Sequence, residues 1–260
     1  MNSTVSVVVP TIGRTSLNSA LDSIYAQSIQ VHQIIVVNTS RTEIDVSSHP
    51  ALKIISVPGA NAASARNAGL GICKSDWIAF LDDDDTWYPK HLENLLAFLN
   101  DGKLDAAYSS AFVNKILRPK KVISGVINPL VELYSKNSFF PTQHYLPLPG
   151  LIISKRVVAH FPFNEGLNER EDLWFAHKLY EYGFSIGQSL DPSIQVNQDS
   201  LRSILRTNAK EDLKWAGRLE LVQKNLGQKF LRSIALRNAM IRKDLVGLSK
   251  IVRAILVRDY

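Results

Sequence analysis

Four consecutive aspartates, Asp82 to Asp85, close an apolar run in WIAFLDDDDTWYP. Trp77 to Leu81 is too short for a helix and reads as a buried strand. A buried strand that ends in four carboxylates concentrates like charge. A divalent cation held by oxygen ligands relieves that repulsion. Open α/β sheets take their ligands beyond the carboxyl ends of their strands, and these aspartates fall there. The alternative is a solvated acidic turn that caps the next helix, but capping uses one aspartate, not four. A second acidic pair, Glu171 and Asp172, lies in the first turn of a strong helical pattern, where it also complements the helix dipole.

The elements that must carry these residues alternate in the first hundred positions. Val5 to Val9, Ile34 to Val37 and Lys53 to Val57 read as strands. Ser16 is placed to cap a helix with Leu17, Leu21 and Ile24 on one face. Ala62 to Cys73 is small and helical, and a further helix runs from about Pro89 to Leu99. This alternation predicts a mostly parallel α/β sheet with right-handed crossovers. Beyond residue 100, Asp105 to Val113, Lys121 to Val126 and Leu151 to Ser154 read as strands, and Asn137 to Pro149 as a loop. Glu169 to Gly183 reads as a helix with Leu173, Ala176, His177 and Tyr180 on one face and Gly183 as its stop. From about Lys210 the pattern is helical only, with breaks near Gly227 and Asp244. The expected division is a core at 1–205 and a helical appendage at 206–260. Within the core, about 1–100 forms one half and about 101–205 the other.

Composition bounds the class. The chain has 260 residues, 45% of them hydrophobic, enough for a full core. One cysteine, Cys73, excludes an internal disulfide and fits a reducing compartment. No secretory signal and no membrane-length apolar run is read, so a cytoplasmic location is expected. The net charge is +6, yet residues 201–260 hold 14 Lys and Arg against 5 Asp and Glu. A basic tail of this kind is either a solvated face or the seat of an anionic partner. Leu245, Leu248, Val252 and Ile255 fall on one helical face beside Lys250, Arg253 and Arg258. That is the pattern of a helix lying on an anionic membrane, or of a stripe packed on the core. No nucleic-acid motif accompanies the charge, and no nucleic acid is expected as a partner.

VSVVVPTIGR, IIVVN, NAASARNAGL and WIAFLDDDDTWYP, in this order, followed by EDLWF at 171–175, resemble the family-2 type of inverting glycosyltransferase with the GT-A fold. The likeness covers roughly residues 4–200. It implies a nucleotide diphosphate sugar as donor, with a UDP-sugar favoured, and a glycan or lipid-linked acceptor in polysaccharide or glycoconjugate synthesis. It implies Pro10, Thr11 and Arg14 beside the base and ribose, with Asn38 where the family usually carries aspartate. Arg66 and Asn67 would lie beside the nucleotide. Asp82-x-Asp84 matches the family's D-x-D motif: Asp84, with Asp82, would ligate Mn2+ or Mg2+, and Asp82 or Asp83 would hold the ribose. Asp85 would instead cap the next helix. Asp172, with Glu171 second, would be the general base. Trp174 is expected in the core rather than at the sugar, and His144 lies in a loop that could meet the acceptor. The family's histidine after the last core strand is replaced by Asn197 and Gln198, which leaves Arg202 or Arg206 to supply positive charge. Two other readings compete. Asp82-x-Asp84-x-Thr86 also fits a Mg2+-dependent phosphatase of haloacid-dehalogenase type, and the core could be a non-catalytic nucleotide-binding scaffold.

Overall fold

The computed structural model describes residues 3–118, 128–134, 146–197 and 209–241. The chain divides into two units, residues 1–129 with 144–198, and residues 130–143 with 199–260.

The first unit is built on a sheet. Strands β1 (Val5–Thr11), β2 (Gln33–Asn38), β3 (Leu52–Ser56) and β4 (Trp77–Phe80) pair in parallel in the order β3-β2-β1-β4. The β-branched residues of β1 and β2 are buried on both faces, as a doubly covered parallel sheet requires, whereas the edge strand β3 exposes Ile54. Successive side chains point to opposite faces. Val5, Val7 and Val9 belong to one core with Leu17, Leu21 and Ile24 of α1 (Leu17–Tyr25) and Leu92, Leu95 and Leu99 of α3 (His91–Gly102). On the other face, α2 (Ala62–Leu70) lies against Val8 and Val37 at Gly69, where a Cβ would stand 2.5 Å from Val8 Cγ1. The small residues of α2 are therefore a packing requirement.

The other half of the sheet is mixed. β5 (Thr86–Trp87) is antiparallel to β9 (Ile186–Val196), which runs parallel to β6 (Ala106–Val113). β8 (Leu151–Ser154) lies antiparallel between β4 and β6, and β7 (Ile116–Arg118) pairs with the end of β6. The β6–β9 register shifts around Ser110, opposite Pro192. A proline inside a strand is tolerated at such an irregularity. A four-residue helix, α5 (Lys155–Val158), and α6 (Glu171–Glu181) complete the unit.

Several expected boundaries move. Ser16 stands at the start of α1 but makes no side-chain cap. Asn61 does cap α2, accepting from Ser64 N at 2.9 Å. α3 starts at His91, two residues after Pro89. The buried face of α6 is Glu171, Phe175, Ala176, His177 and Leu179; Leu173 and Tyr180 are only half-buried. Phe175 sets this face by stacking on Phe163 with ring centroids 4.1 Å apart. Gly183, at φ 73°, follows the helix as expected.

The second unit holds α4 (Pro129–Tyr134, from Leu130), α7 (Ala209–Val222) and α8 (Leu226–Ile241). The break falls at Asn225 (φ 66°), before Gly227. Gly227 instead lets α8 meet α7, since a Cβ there would stand 2.1 Å from the Ala216 carbonyl. Glu220 accepts from the N–H groups of Asn225 and Gln228 and so satisfies the start of α8. The proposed strand at 121–126, His144, Arg202, Arg206 and the stripe from Leu245 onward lie outside the described residues.

Candidate active site

The ends of β1 and β4 meet at the aspartate loop. Asp83 is buried at 2% exposure and is held from two sides. Thr11 Oγ1 donates to its Oδ2 at 2.5 Å, and Arg14 Nη1 donates to its Oδ1. Thr11 Oγ1 also accepts from Gly13 N at 2.9 Å, in a turn that needs glycine's positive φ of 84°. Asp83 thus fastens the loop after β1 to the loop after β4. Pro10 lies beside Val37 in the β1–β2 register.

Asp85 does not cap α3, which begins six residues later, beyond β5. It is buried and accepts from Asn197 N at 2.8 Å. Burial, then the charges of Asp82 and the other two aspartates, push its carboxyl up to about 8, against the pull of that N–H. Asn197 Nδ2 also donates to the Asp84 carbonyl at 2.9 Å. Asn197, noted in the sequence only as a missing histidine, is therefore a clamp from the end of β9.

Asp84 is the open member of the cluster. Its side chain is 41% exposed, and its cation neighbour is Arg14 Nη1 at 3.5 Å. Burial, with the charges of Asp82 and Asp83, raises its carboxyl above the ordinary range, and Arg14 opposes this. Among the described residues no three His, Cys, Asp or Glu side chains converge to cage a metal. One open carboxylate does fit the way Mg2+ and Mn2+ bind beside phosphates, through one or two carboxylates, water and the substrate's own oxygens.

The second acidic centre is joined to the first by Arg66. Its buried guanidinium donates from Nη2 to Asp82 Oδ1 at 2.8 Å and from Nη1 to Glu171 Oε1 at 2.6 Å. It lies 5.7 Å from the centroid of the Phe163 ring, and its Nε has no partner among the described residues. Glu171 and Asp82 are 89 positions apart, and one arginine holds both. Asp172 has no ion pair among the described residues. It keeps part of its surface at solvent, and its Oδ1 accepts from Leu173 N at 2.8 Å. Burial, then the charge of Glu171, raises its carboxyl to about 7; the Leu173 N–H and Arg66 pull the other way. Arg170, at φ 63°, turns the chain into this helix through a conformation unusual for a side-chain-bearing residue.

Two residues expected at the donor have other partners. Asn67 donates to Phe163 O at 2.9 Å and Glu165 Oε1 at 2.8 Å, and accepts from Phe163 N at 2.8 Å. It ties α2 to the segment that carries Phe163. Asn38 accepts from Ser40 N and Ser40 Oγ and donates to Thr42 O at 2.8 Å, which closes the turn after β2. Trp174 is neither core nor free: it is half-buried, with its ring 5.0 Å from that of His177. The structure thus brings together Thr11, Arg14, Asp83 and Asp84, and beside them Arg66, Asp82 and Glu171, followed by Asp172.

This is the layout of a GT-A-type sugar-transfer enzyme. Residues 6–154 match the model of "Glycosyl transferase family 2", and the chain belongs to that family. It is 26% identical over 236 residues to the uncharacterised glycosyltransferase RP339 of Rickettsia prowazekii (strain Madrid E), covering 85% of this chain and 73% of RP339. It is 31% identical over 202 residues to the amylovoran biosynthesis glycosyltransferase AmsB of Erwinia amylovora, covering 72% of this chain and 67% of AmsB. Other matches are partial: the chain spans 35% of YibD of Escherichia coli (strain K12). It spans 53% of the Escherichia coli UDP-Glc:alpha-D-GlcNAc-diphosphoundecaprenol beta-1,3-glucosyltransferase WfaP, at 27% identity. Among solved structures, S. aureus TarS 1-349 in complex with UDP-GlcNAc superposes with a TM-score of 0.63 at 16% identity, over 93% of this chain and 74% of that one. The shared fold is the GT-A type. The phosphatase reading needs Asp82 free to attack phosphorus, whereas Asp82 is bonded to buried Arg66.

Proposed function

We propose that this glycosyltransferase is an inverting enzyme of polysaccharide or glycoconjugate synthesis. It takes a nucleotide diphosphate sugar, with UDP favoured, and glycosylates a hydroxyl of a glycan or lipid-linked acceptor. The observation that carries the reading is the Arg66 bridge. It joins the aspartate loop to the first turn of α6, which supports reading the two acidic centres as parts of one site.

Asp84 would hold Mn2+ or Mg2+ beside the donor diphosphate, with Asp82 next to it; the bound ion would offset charge on the departing diphosphate. Asp83, Thr11 and Arg14 shape the wall for the nucleotide. Asp172 takes the proton of the acceptor hydroxyl as its oxygen attacks C1 of the sugar. The bond from C1 to the diphosphate breaks on the opposite face, so one displacement inverts the anomeric centre. A carboxyl held near the working pH suits that task. Glu171, bonded to Arg66, is held as support rather than as base.

The printed acceptor of WfaP is a diphosphoundecaprenol, and AmsB is named for amylovoran; both support the acceptor class. Among the described residues no helix is long and apolar enough to cross a membrane. Attachment to an anionic membrane through the apolar stripe from Leu245 to Ile255 and its flanking cations belongs to this reading and is tested by vesicle co-sedimentation in low and high salt. The main test is thermal shift with a panel of nucleotide sugars, with and without Mn2+. A ligand that binds the folded state raises the melting temperature by mass action. Product NMR then reads the linkage: an α-configured donor should give a β-glycoside. A product that keeps the α configuration would sink the single displacement.

A further inference from the structure

Arg14 stands out by what its guanidinium leaves unused. Only Nη1 bonds among the described residues, to Asp83 Oδ1 and at 3.5 Å to Asp84 Oδ2. The remaining N–H groups of a five-donor fork are free, on a side chain 44% exposed. The two carboxylates hold it unequally. Asp83 is buried and fixed by Thr11, so it anchors the cation. Asp84 lies beyond the 2.7–2.9 Å typical of a strong charge-assisted bond, and its carboxylate faces solvent.

We infer that Arg14 is a resident counter-ion of Asp84: it balances that carboxylate before ion and donor bind and turns to the diphosphate when the donor arrives. This rests on the reading of Asp84 as the metal carboxylate. The electrostatics follow from the arrangement. With Arg14 shared between them, Asp83 and Asp84 present one net negative charge to a dication rather than two, and the two cations repel at short range. A diphosphate reverses the sign of that neighbourhood. Its oxygens suit the open guanidinium fork, while Asp83 keeps the arginine from leaving. The ion is then bound weakly alone and tightly with the donor. Linkage makes the gain reciprocal: the donor strengthens the ion by the factor by which the ion strengthens the donor.

The experiment is Mn2+ titration of the full chain, with free Mn2+ read by its electron paramagnetic resonance signal. Each titration is run alone, with UDP, and with inorganic pyrophosphate to remove dependence on the base. Four variants are compared with the unaltered chain: Arg14→Gln, Arg14→Lys, Thr11→Val and Asp84→Asn. Arg14→Gln should bind Mn2+ without nucleotide at least about tenfold more tightly, and the strengthening by UDP or pyrophosphate should shrink about as much. Arg14→Lys, which keeps the charge, should restore most of the original pattern. Thr11→Val loosens Asp83 but leaves the cation, so it should not raise Mn2+ affinity. If Arg14→Gln leaves the nucleotide-free affinity unchanged or lower, or if Thr11→Val matches it, Arg14 is only a strut and the inference is overturned. If Asp84→Asn binds Mn2+ as the unaltered chain does, the metal reading of Asp84 is wrong and the inference falls with it. The two failures are read from different variants.

Discussion

Replacing Glu171 by glutamine separates the two neighbouring acids. Glutamine keeps an oxygen for Arg66 Nη1 and removes only the charge beside Asp172. That charge is the second cause, after burial, of the raised Asp172 carboxyl. Two unit charges roughly 6 Å apart interact by about 3 kcal/mol at an effective dielectric of 20, which is about two pKa units. Asp172 is partly open to solvent, and screening reduces the effect to about one unit. The active form of a base is deprotonated, so kcat/KM of the unaltered enzyme should rise through a limb near 7. In Glu171→Gln the limb should sit about one unit lower. The ratio of variant to unaltered activity should then be larger at pH 6 than at pH 8. The assay is nucleotide release in the presence of acceptor across that range, with Asp172→Asn alongside. Asp172→Asn should lose about 10²–10⁴-fold, whereas Glu171→Gln should stay within about tenfold at the plateau. If Glu171→Gln is as inactive as Asp172→Asn at every pH, Glu171 is the base and the assignment is reversed.

Asp172→Asn should also be more stable than the unaltered chain at pH 8. A carboxyl whose folded value lies near 7 against about 3.9 unfolded makes stability fall as pH rises between those values, and the amide removes the fall; urea denaturation at pH 5 and pH 8 checks the sign. Arg66→Gln leaves Glu171 buried without its cation, at a cost of about 3 kcal/mol once the 31% exposure of the Asp82 side chain is discounted. The melting temperature should drop by roughly 6–12 °C. Gly69→Ala drives a methyl to 2.5 Å from Val8 Cγ1 and should cost about 1–3 kcal/mol in a denaturant melt. Asp84→Asn should melt like the unaltered chain but lose the Mn2+-dependent part of the thermal shift given by UDP; an unchanged Mn2+ response would remove Asp84 from the metal site.

Much of the first hundred residues is legible because its signals are local. Runs such as VSVVV and IIVV are buried on both faces, and a buried parallel strand is written as an unbroken apolar run. The placement of four aspartates at a strand end needed only the end of that run. What local pattern could not carry was partner choice. Asn38 and Asn67 lie in segments that resemble donor contacts, yet their amides are taken up by Ser40 and Thr42 in one case and by Phe163 and Glu165 in the other. The buried face of α6 keeps Ala176 and His177 but turns toward Phe175, because Phe175 answers to Phe163, twelve positions upstream. Asp85 reads as a cap because β5, only two residues long, leaves no periodic signal between it and α3. Asn197 gave no signal beyond its departure from histidine. Its role exists only because β9 brings its end to residues 84 and 85.

Four aspartates in a row look redundant for holding one ion, and their partners explain why all four are there. Consecutive residues in a loop point in different directions, so each carboxylate reaches a different element. Asp82 goes to Arg66 on α2, Asp83 to Thr11 and Arg14 after β1, and Asp85 to the backbone of Asn197 at the end of β9. Three anchors on three elements fix the loop without using any ligand. Asp84 is left as the carboxylate that can change partner. Rigid support around one adjustable group is what preorganisation requires, since a site that moved to meet its ligand would give up binding free energy in ordering itself. The same logic sets the other centre. Glu171 is bonded to Arg66 and holds the first turn of α6 to the aspartate loop, and the next residue, Asp172, makes no ion pair among the described residues and has a raised carboxyl. In both acidic clusters the residue proposed for the chemistry is held less tightly than the bonded neighbours that flank it.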